Sequence, residues 1–171
     1  VMIISTNAGL WGYNIGDTIK FVSLNPYRII VTGRIAHFTS AFGEHVIAEE
    51  VEGAIKDCLL EISANVIEFH VAPKINTKHE LPYHEWFTEF EKEPEDILFF
   101  STLLDQKLQN YNPYYKDLIQ GGVLQLLKIT LIRKNGFRSY MSSIGKLGGQ
   151  NKVPRLSNDR NIAEKLISFV L

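Results

Sequence analysis

The order of predicted helices and strands after residue 44 constrains the fold of this chain more than any other feature. A helical stripe of apolar residues runs from Ile47 to Ile62, and Glu44 lies near its predicted start, where an acid suits the helix dipole. The later elements are strands over residues 66–75 and 83–91, a helix after Pro94, a helix over residues 113–119, a strand over residues 123–133, and helices over residues 137–144 and 160–169. This order predicts an α+β fold, with a small mixed β-sheet flanked by helices.

The strand predicted over residues 83–91 has two different sides. Glu85, Glu89 and Glu91 alternate with Trp86 and other residues of the opposite side. We therefore expect a half-buried strand whose acidic side faces solvent.

The first part of the chain reads as β-structure without a helix of its own. Residues 1–5, 18–22 and 27–32 are strand-like and are separated by turn residues. Because strands need a partner layer, we expect them to belong to a larger upstream domain. The predicted division is residues 1–34 as the last strands of that domain, and residues 35–171 as a small mobile carboxy-terminal α+β domain.

Two polar stretches are candidates for chemistry. Gly16-Asp17 brings a carboxylate to the start of a strand, where its two oxygens suit a vicinal diol, although such a residue is also a common turn residue. Lys152 follows three glycines in a loop and could stabilise charge on a phosphoryl or acyl oxygen. Arg34 could contact ribose or phosphate. On spacing alone, a solvated loop lysine is the favoured interpretation of Lys152, and Arg34 could equally be a surface arginine.

The charge distribution, the single cysteine and the lengths of the apolar runs indicate which partners and compartments are expected for this protein. The net charge is -1, but residues 128–165 contain nine basic and two acidic residues, which suits a phosphate partner or a solvated basic face. The single cysteine, Cys58, lies on an apolar helical stripe and is expected to be buried filler in a cytoplasmic protein. No apolar run has transmembrane length, and no histidine has metal-ligand spacing, so we expect no membrane and no metal site within the chain.

The ordered motifs resemble the auxin-responsive-promoter family of acyl-acid-amido synthetases, in the form of its bacterial members. The matching segments are Gly9-Leu-Trp-Gly-Tyr13-Asn-Ile-Gly16-Asp17, Gly33-Arg34 with His37-Phe38 and Phe42-Gly43-Glu44, Asn110 with Tyr114, Gly136-Phe137, and Gly149-Gln150-Asn-Lys152-Val-Pro154-Arg155. The sequence departs from the plant pattern at Gly12 and Asn14, which replace arginines. Ala36 stands where the wider superfamily has a hinge acid.

The resemblance implies an adenylate-forming ligase that uses ATP and Mg²⁺ to activate a carboxylic acid and then transfers the acyl group to an amino acid amine. Lys152 would be the catalytic residue that neutralises phosphate charge. The implied nucleotide-binding residues are Asp17 at the ribose, with Tyr13, Arg34, Gln150 and Arg155. The implied hinge residues are Arg34, Ile35, Ala36 and His37. The phosphate loop and acyl pocket of the family lie upstream of this chain, so the chain would be the carboxy-terminal part, inactive alone.

Two other interpretations remain open at this stage. An acyl-coenzyme A ligase could use the same hinge. A non-enzymatic α+β binding or regulatory module could use the basic segment to bind nucleic acid, but that segment has few aromatic side chains for base stacking beyond Phe137 and Tyr140, so we expect no nucleic-acid partner.

Overall fold

A three-stranded mixed sheet forms the centre of the molecule. The computed structural model describes residues 1–34, 38–75, 80–148 and 151–171, with the backbone alone for Gly33, Arg34 and Phe38. Strands β7 (Asn65–Lys74) and β8 (Tyr83–Lys92) pair antiparallel, and β9 (Lys128–Ile132) pairs parallel to β8, so that β8 is central. The predicted α+β fold with a small mixed sheet is confirmed.

Three helices cover one face of this sheet. They are α1 (Ala48–Glu61), α2 (Ile97–Tyr111) and α3 (Pro113–Gln120). Asp96 caps α2 by accepting from the amides of Leu98 and Phe99, and Asn112 caps α3 in the same way. Their apolar sides enclose a core around Trp86, and Cys58 is buried there as expected.

Two short helices cover the other face. They are α4 (Gly136–Ser143) and α5 (Asn161–Leu166), and a single 3-10 turn, Ile167–Phe169, follows α5. Because successive strand residues point to opposite faces, Phe87 enters this second core while Trp86 enters the first. The second core also contains Ala72, Ile132, Phe137, Tyr140, Val153, Ala163 and Leu166.

The acidic side of β8 is therefore covered over much of its length, and our expectation that it faces solvent is wrong. Glu85 Oε2 accepts from Arg160 Nη2 at 2.7 Å. Glu89 is 3% exposed and accepts from the backbone amides of Asn135 and Phe137. Only Glu91, near the end of the strand, is exposed among these three acids. Two layers of helices, one on each face, give the strand no solvent side where they pack.

Two further predictions are corrected at element boundaries. Helix α1 begins at Ala48, and Glu44 lies before it as a fully buried residue whose Oε1 is 2.9 Å from His84 Nε2. Strand β9 begins at Lys128 and not at residue 123. The amides just before it bond elsewhere, since Gln125 N donates to the Pro82 carbonyl and Leu127 N donates to Asp105 Oδ1.

Residues 1–34 form two β-hairpins, as expected, and a third short hairpin, which the sequence did not indicate, precedes α1. Their strands are β1 (Ile3–Ile4) with β2 (Tyr13–Asn14), β3 (Asp17–Leu24) with β4 (Tyr27–Arg34), and β5 (Phe38–Thr39) with β6 (Val46–Ile47). The β3–β4 hairpin contacts α1 through β4. Even so, Ile30 and its neighbour Val31, which point to opposite faces of the hairpin, are 44% and 60% exposed.

The free side of β9 is partly covered by the last residues of the chain. Arg133 N donates to the Phe169 carbonyl at 2.9 Å, and Leu171 N donates to the Leu131 carbonyl at 3.1 Å. Ile132 and Val170 form an antiparallel bridge between these bonds. Within the described ranges, no helix is both long enough and apolar enough to cross a membrane.

Candidate functional site

Lys152 lies in the segment that joins α4 to α5, and its side chain is exposed. The next residue, Val153, is 5% exposed and packs into the second core. Pro154 follows, and a proline restricts both its own backbone and that of the residue before it. The side chain of Lys152 therefore extends into solvent, while the buried side chain of Val153 holds the adjacent backbone in place.

The segment after Lys152 is bonded to the edge of β7. Val71 N donates to the Arg155 carbonyl at 2.8 Å, and Ser157 N donates to the Val71 carbonyl at 3.0 Å. Val71 and Leu156 form a parallel bridge, and Leu156 is fully buried. We call residues 153–157 the stem of the Lys152 loop, because they join this loop to the sheet.

Arg155 is engaged by residues of the fold. Its guanidinium pairs with Glu68, lies 3.2 Å from Glu52 Oε1, and lies over the Phe69 ring at 4.7 Å from its centre. These contacts hold the arginine against β7 and α1. Its predicted contact with a nucleotide stays a prediction.

A cleft of about 350 Å³ opens beside Lys152, between α4 with the turn before it, β7 and the loop. Four cationic residues line it: Lys134, Arg138, Lys146 and Lys152. Two acids also line it, but both are engaged, Glu68 with Arg155 and Glu89 with the first amides of α4. Within the described part of the chain, none of the four cations forms an ion pair, so the cleft suits an anionic ligand.

Asp17 occupies a different part of the structure. It is the first residue of β3, lies opposite Arg34 in the β3–β4 register, and accepts from Met2 N through its carbonyl at 2.9 Å. Tyr13, on the neighbouring hairpin, is 54% exposed. The structure thus brings Asp17 and the backbone of Arg34 together. Among the described residues that line the Lys152 cleft, none comes from β1 to β4.

Several predicted residues lie outside the described part of the chain. Gln150 of the loop and Ile35, Ala36 and His37 of the predicted hinge belong to this group, and Arg34 is described by its backbone only. Their proposed roles stay predictions.

A buried pair lies shortly after the predicted hinge. Glu44 and His84 have fully buried side chains 2.9 Å apart, and Glu44 Oε2 also accepts from Phe42 N at 2.9 Å. Burial raises the pKa of the Glu44 carboxyl, but the hydrogen bond and charge of His84 outweigh it, and the net pKa is lowered. The His84 ring stacks on Tyr115 with centroids 5.0 Å apart. The spacing of charged residues did not indicate this pair.

His70 is a second buried histidine that the spacing did not reveal. It lies on β7, is fully buried, and its Nδ1 is 2.8 Å from the Pro154 carbonyl oxygen in the stem. Burial lowers its pKa from 6.5 to about 4, while the bond to Pro154 and the charge of Asp159 raise it less and Arg160 lowers it slightly. The imidazole is therefore neutral at pH 7. The position of a polar residue between the apolar Phe69 and Val71 was the one available signal.

We expect acid to destabilise the protein through His70. Since its folded pKa is below its unfolded value, the unfolded chain binds the extra proton between pH 6.5 and 4, and the stabilising contribution, complete above pH 6.5, is lost as the pH falls through that window. From pH 7 to 4 the loss is roughly 2–3 kcal/mol of unfolding free energy. Urea unfolding at both pH values would show a smaller loss in His70→Asn, and an equal loss in both proteins would contradict the prediction.

Comparisons with known proteins agree on one family. The family model described as "GH3 family C-terminal domain" matches residues 49–161. A solved GH3.15 acyl acid amido synthetase matches with a TM-score of 0.76 and 15% identity over 99% of this chain. A second structure, AtGH3.15 acyl acid amido synthetase in complex with 2,4-DB, matches with a TM-score of 0.75, 15% identity and 99% coverage. No curated protein gives a significant match.

The match covers only part of each solved relative. This chain spans 33% of the first relative and 32% of the second, about a third of their length. The similarity to these two structures therefore concerns the fold of one part of a larger protein.

Proposed function

The chain belongs to the GH3 family, and from this premise we propose that it is the carboxy-terminal part of an ATP-dependent acyl acid amido synthetase of the bacterial type. In the proposed first step, a carboxylate oxygen attacks the α-phosphorus of ATP, giving an acyl-adenylate and releasing pyrophosphate. In the second, the amine of an amino acid attacks the acyl carbon, loses a proton and expels AMP, leaving an amide.

The observation that carries this proposal is the placement of Lys152. Its side chain projects beside a cleft lined by three further cations, and the buried Val153 holds the adjacent backbone. An ammonium in that position can neutralise the negative charge of phosphate oxygens during adenylation. Gln150 and Arg155 are proposed to support it and to help bind the nucleotide.

The ribose end of the nucleotide is assigned to the hairpins. We propose that Asp17 accepts hydrogen bonds from the two ribose hydroxyls, with Tyr13 and Arg34 beside it. The position of Asp17 at the start of β3, opposite Arg34, supports this assignment. Asp17 and Lys152 lie on different parts of the structure, and we propose that these parts move relative to each other so that both residues reach one nucleotide. The segment Arg34, Ile35, Ala36 and His37 is the proposed hinge.

The proposed domain division follows from the same arrangement. Residues 1–34 would complete an upstream adenylation domain, and residues 35–171 would form the mobile domain. Exposed apolar side chains on both faces of the β3–β4 hairpin support such a partner layer. So does the span of about a third of the relatives. Under this proposal the chain alone is inactive, and the enzyme works in the cytoplasm.

Mg²⁺ is the expected companion of ATP in this chemistry. The described residues include no group of three or more His, Cys, Asp or Glu side chains that could hold a metal ion. We therefore assign no residue of this chain to Mg²⁺.

An acceptor assay tests the proposed reaction. We expect the chain, joined to its upstream adenylation domain, to catalyse ATP–pyrophosphate exchange with a member of a panel of aryl and aliphatic carboxylic acids, and to form an amide when amino acids are added. Mass spectrometry of the products, with coenzyme A offered in parallel, separates the two ligase classes. A thioester without an amide would favour the acyl-coenzyme A ligase.

The same preparation tests the binding-module alternative. Fluorescent single-stranded DNA should not bind the chain at physiological salt. Tight binding that weakens steeply with added salt, without any exchange activity, would contradict the proposed ligase function.

A further inference from the structure

His70 is the buried polar residue that directly contacts the stem of the Lys152 loop. It lies on β7, on the face of the sheet that carries the second core, and its side chain is fully buried. A polar side chain in such a place must form hydrogen bonds, because an unpaired polar group there is costly. The partners it uses therefore indicate what it holds.

Both ring nitrogens of His70 face the stem. Nδ1 is 2.8 Å from the Pro154 carbonyl oxygen, and Nε2 is 3.3 Å from Ser157 Oγ. A carbonyl oxygen can only accept, so the hydrogen is on Nδ1 and Nε2 is left as an acceptor. The Pro154 carbonyl is thus fixed by a donor that belongs to the sheet.

The bond to Pro154 supplements the contacts of the stem with Val71. Val71 bonds to the backbone of Arg155 and Ser157, whereas His70 reaches one residue nearer to the lysine. Only Val153 separates Pro154 from Lys152, and Val153 is itself buried. Without the hydrogen bond from His70, the packing of the buried Val153 side chain would be the contact nearest to Lys152 that still holds the stem in place.

We propose that His70 is a positioning residue that fixes the Lys152 loop: its Nδ1–H, bonded to the Pro154 carbonyl, sets the place from which the lysine side chain reaches the cleft. This inference rests on the proposed function for its catalytic consequence, but its structural part stands without it. A histidine that merely fills the second core would affect global stability and leave the loop unchanged.

Three variants separate positioning from filling. His70→Leu removes the donor and keeps an apolar side chain of similar size. His70→Asn retains an N–H donor, since its amide nitrogen takes the place of Nδ1. His84→Leu is the matched control, because His84 is equally buried on the opposite face of the sheet and does not contact the stem.

Trypsin cleavage after Lys152 measures the freedom of the loop without any catalytic assay. The next residue is the buried Val153, so cleavage requires local opening. Relative to cleavage after Lys116 in α3, we expect cleavage after Lys152 to rise roughly tenfold in His70→Leu, by the loss of one buried hydrogen bond, and to be largely rescued in His70→Asn. In His84→Leu this ratio should stay close to that of the wild type.

The outcomes decide between the interpretations. An unchanged cleavage ratio in His70→Leu, or an equal rise in His84→Leu, would overturn the positioning role. If His70→Leu does not fold, the tautomer of His70 in the wild-type protein, measured by ¹⁵N NMR, is decisive: Nδ1–H supports the proposal and Nε2–H overturns it.

Activity in the joined enzyme distinguishes failure of this inference from failure of the proposed function. A freed loop should lower kcat for pyrophosphate exchange with little change in the KM for ATP, and His70→Asn should recover much of it. A freed loop with undiminished exchange would leave His70 as the anchor but overturn its catalytic consequence, whereas undiminished exchange in Lys152→Ala would refute the role of Lys152.

Discussion

Lys152→Ala is expected to lower the rate of ATP–pyrophosphate exchange by the joined enzyme roughly 100- to 1,000-fold, which is the usual effect of removing one group that stabilises charge in a transition state. The side chain is exposed and is not part of either buried core. Its loss should therefore leave the thermal unfolding midpoint almost unchanged, as for most exposed substitutions. Measuring kcat and KM for ATP separately would place the loss in the chemical step.

Lys116→Ala is the matched control for this prediction. Lys116 is an exposed lysine on α3, away from the Lys152 cleft. Exchange by this variant should equal that of the wild type. A Lys152→Ala enzyme that adenylates at the normal rate would refute the assigned role, whatever the control shows.

Asp105→Ala is expected to lower the unfolding free energy by roughly 3–5 kcal/mol, because it removes a buried carboxylate and leaves its donors without a partner. Asp105 lies on α2 and is fully buried. Oδ1 accepts from Tyr115 Oη at 2.6 Å and from Leu127 N at 2.9 Å, and Oδ2 accepts from Gln109 Nε2 at 2.6 Å. The carboxylate thereby joins α2, α3 and the approach to β9.

Urea unfolding of a small set of variants checks this expectation. Asp117→Ala, at an exposed position on α3, is the control and should change stability by no more than about 0.5 kcal/mol. A double-mutant cycle of Asp105→Ala with Tyr115→Phe should show coupling, since the two side chains share a hydrogen bond. Simple additivity of the two losses would argue against the network.

Local sequence patterns predicted most of the helices and strands correctly, for identifiable reasons. Asn112 lies directly before the predicted helix over residues 113–119 and caps it, so its role is visible in a short stretch of sequence. The apolar stripe of α1 likewise leads to Cys58, which is buried. Each of these features depends on residues close together in the chain.

The features that the sequence did not indicate depend on residues far apart. We expected Glu89 to face solvent because its neighbours in sequence give no sign of a covering helix. Helix α4, which begins 47 residues later, covers it, and the amide of Phe137 donates to the Glu89 carboxylate. We expected Glu44 to be an acid at the start of a helix, but in the structure it pairs with His84, which lies 40 residues later in the chain. An alternating pattern states which residues share a side, but not whether another layer covers that side.

The candidate site also contains features that the sequence indicated and features that it did not. The candidate role of Lys152 came from the resemblance of its segment, Gly149 to Arg155, to a family motif. The bonds that hold its stem to β7 were not predicted, because residues 70 and 154 are separated by 84 positions and neither has a distinctive local pattern. The pairing of such distant segments is a property of the folded chain.

The short cover over β9 also has a consequence for solubility. An open strand edge presents amide and carbonyl groups to which another molecule can add its own strand, and this is a common route to aggregation. The bonds from residues 169–171 occupy that edge beside Leu131 and Arg133. The pairing of residues 169–171 with this edge therefore leaves fewer open backbone groups on β9 to which a second molecule could add a strand.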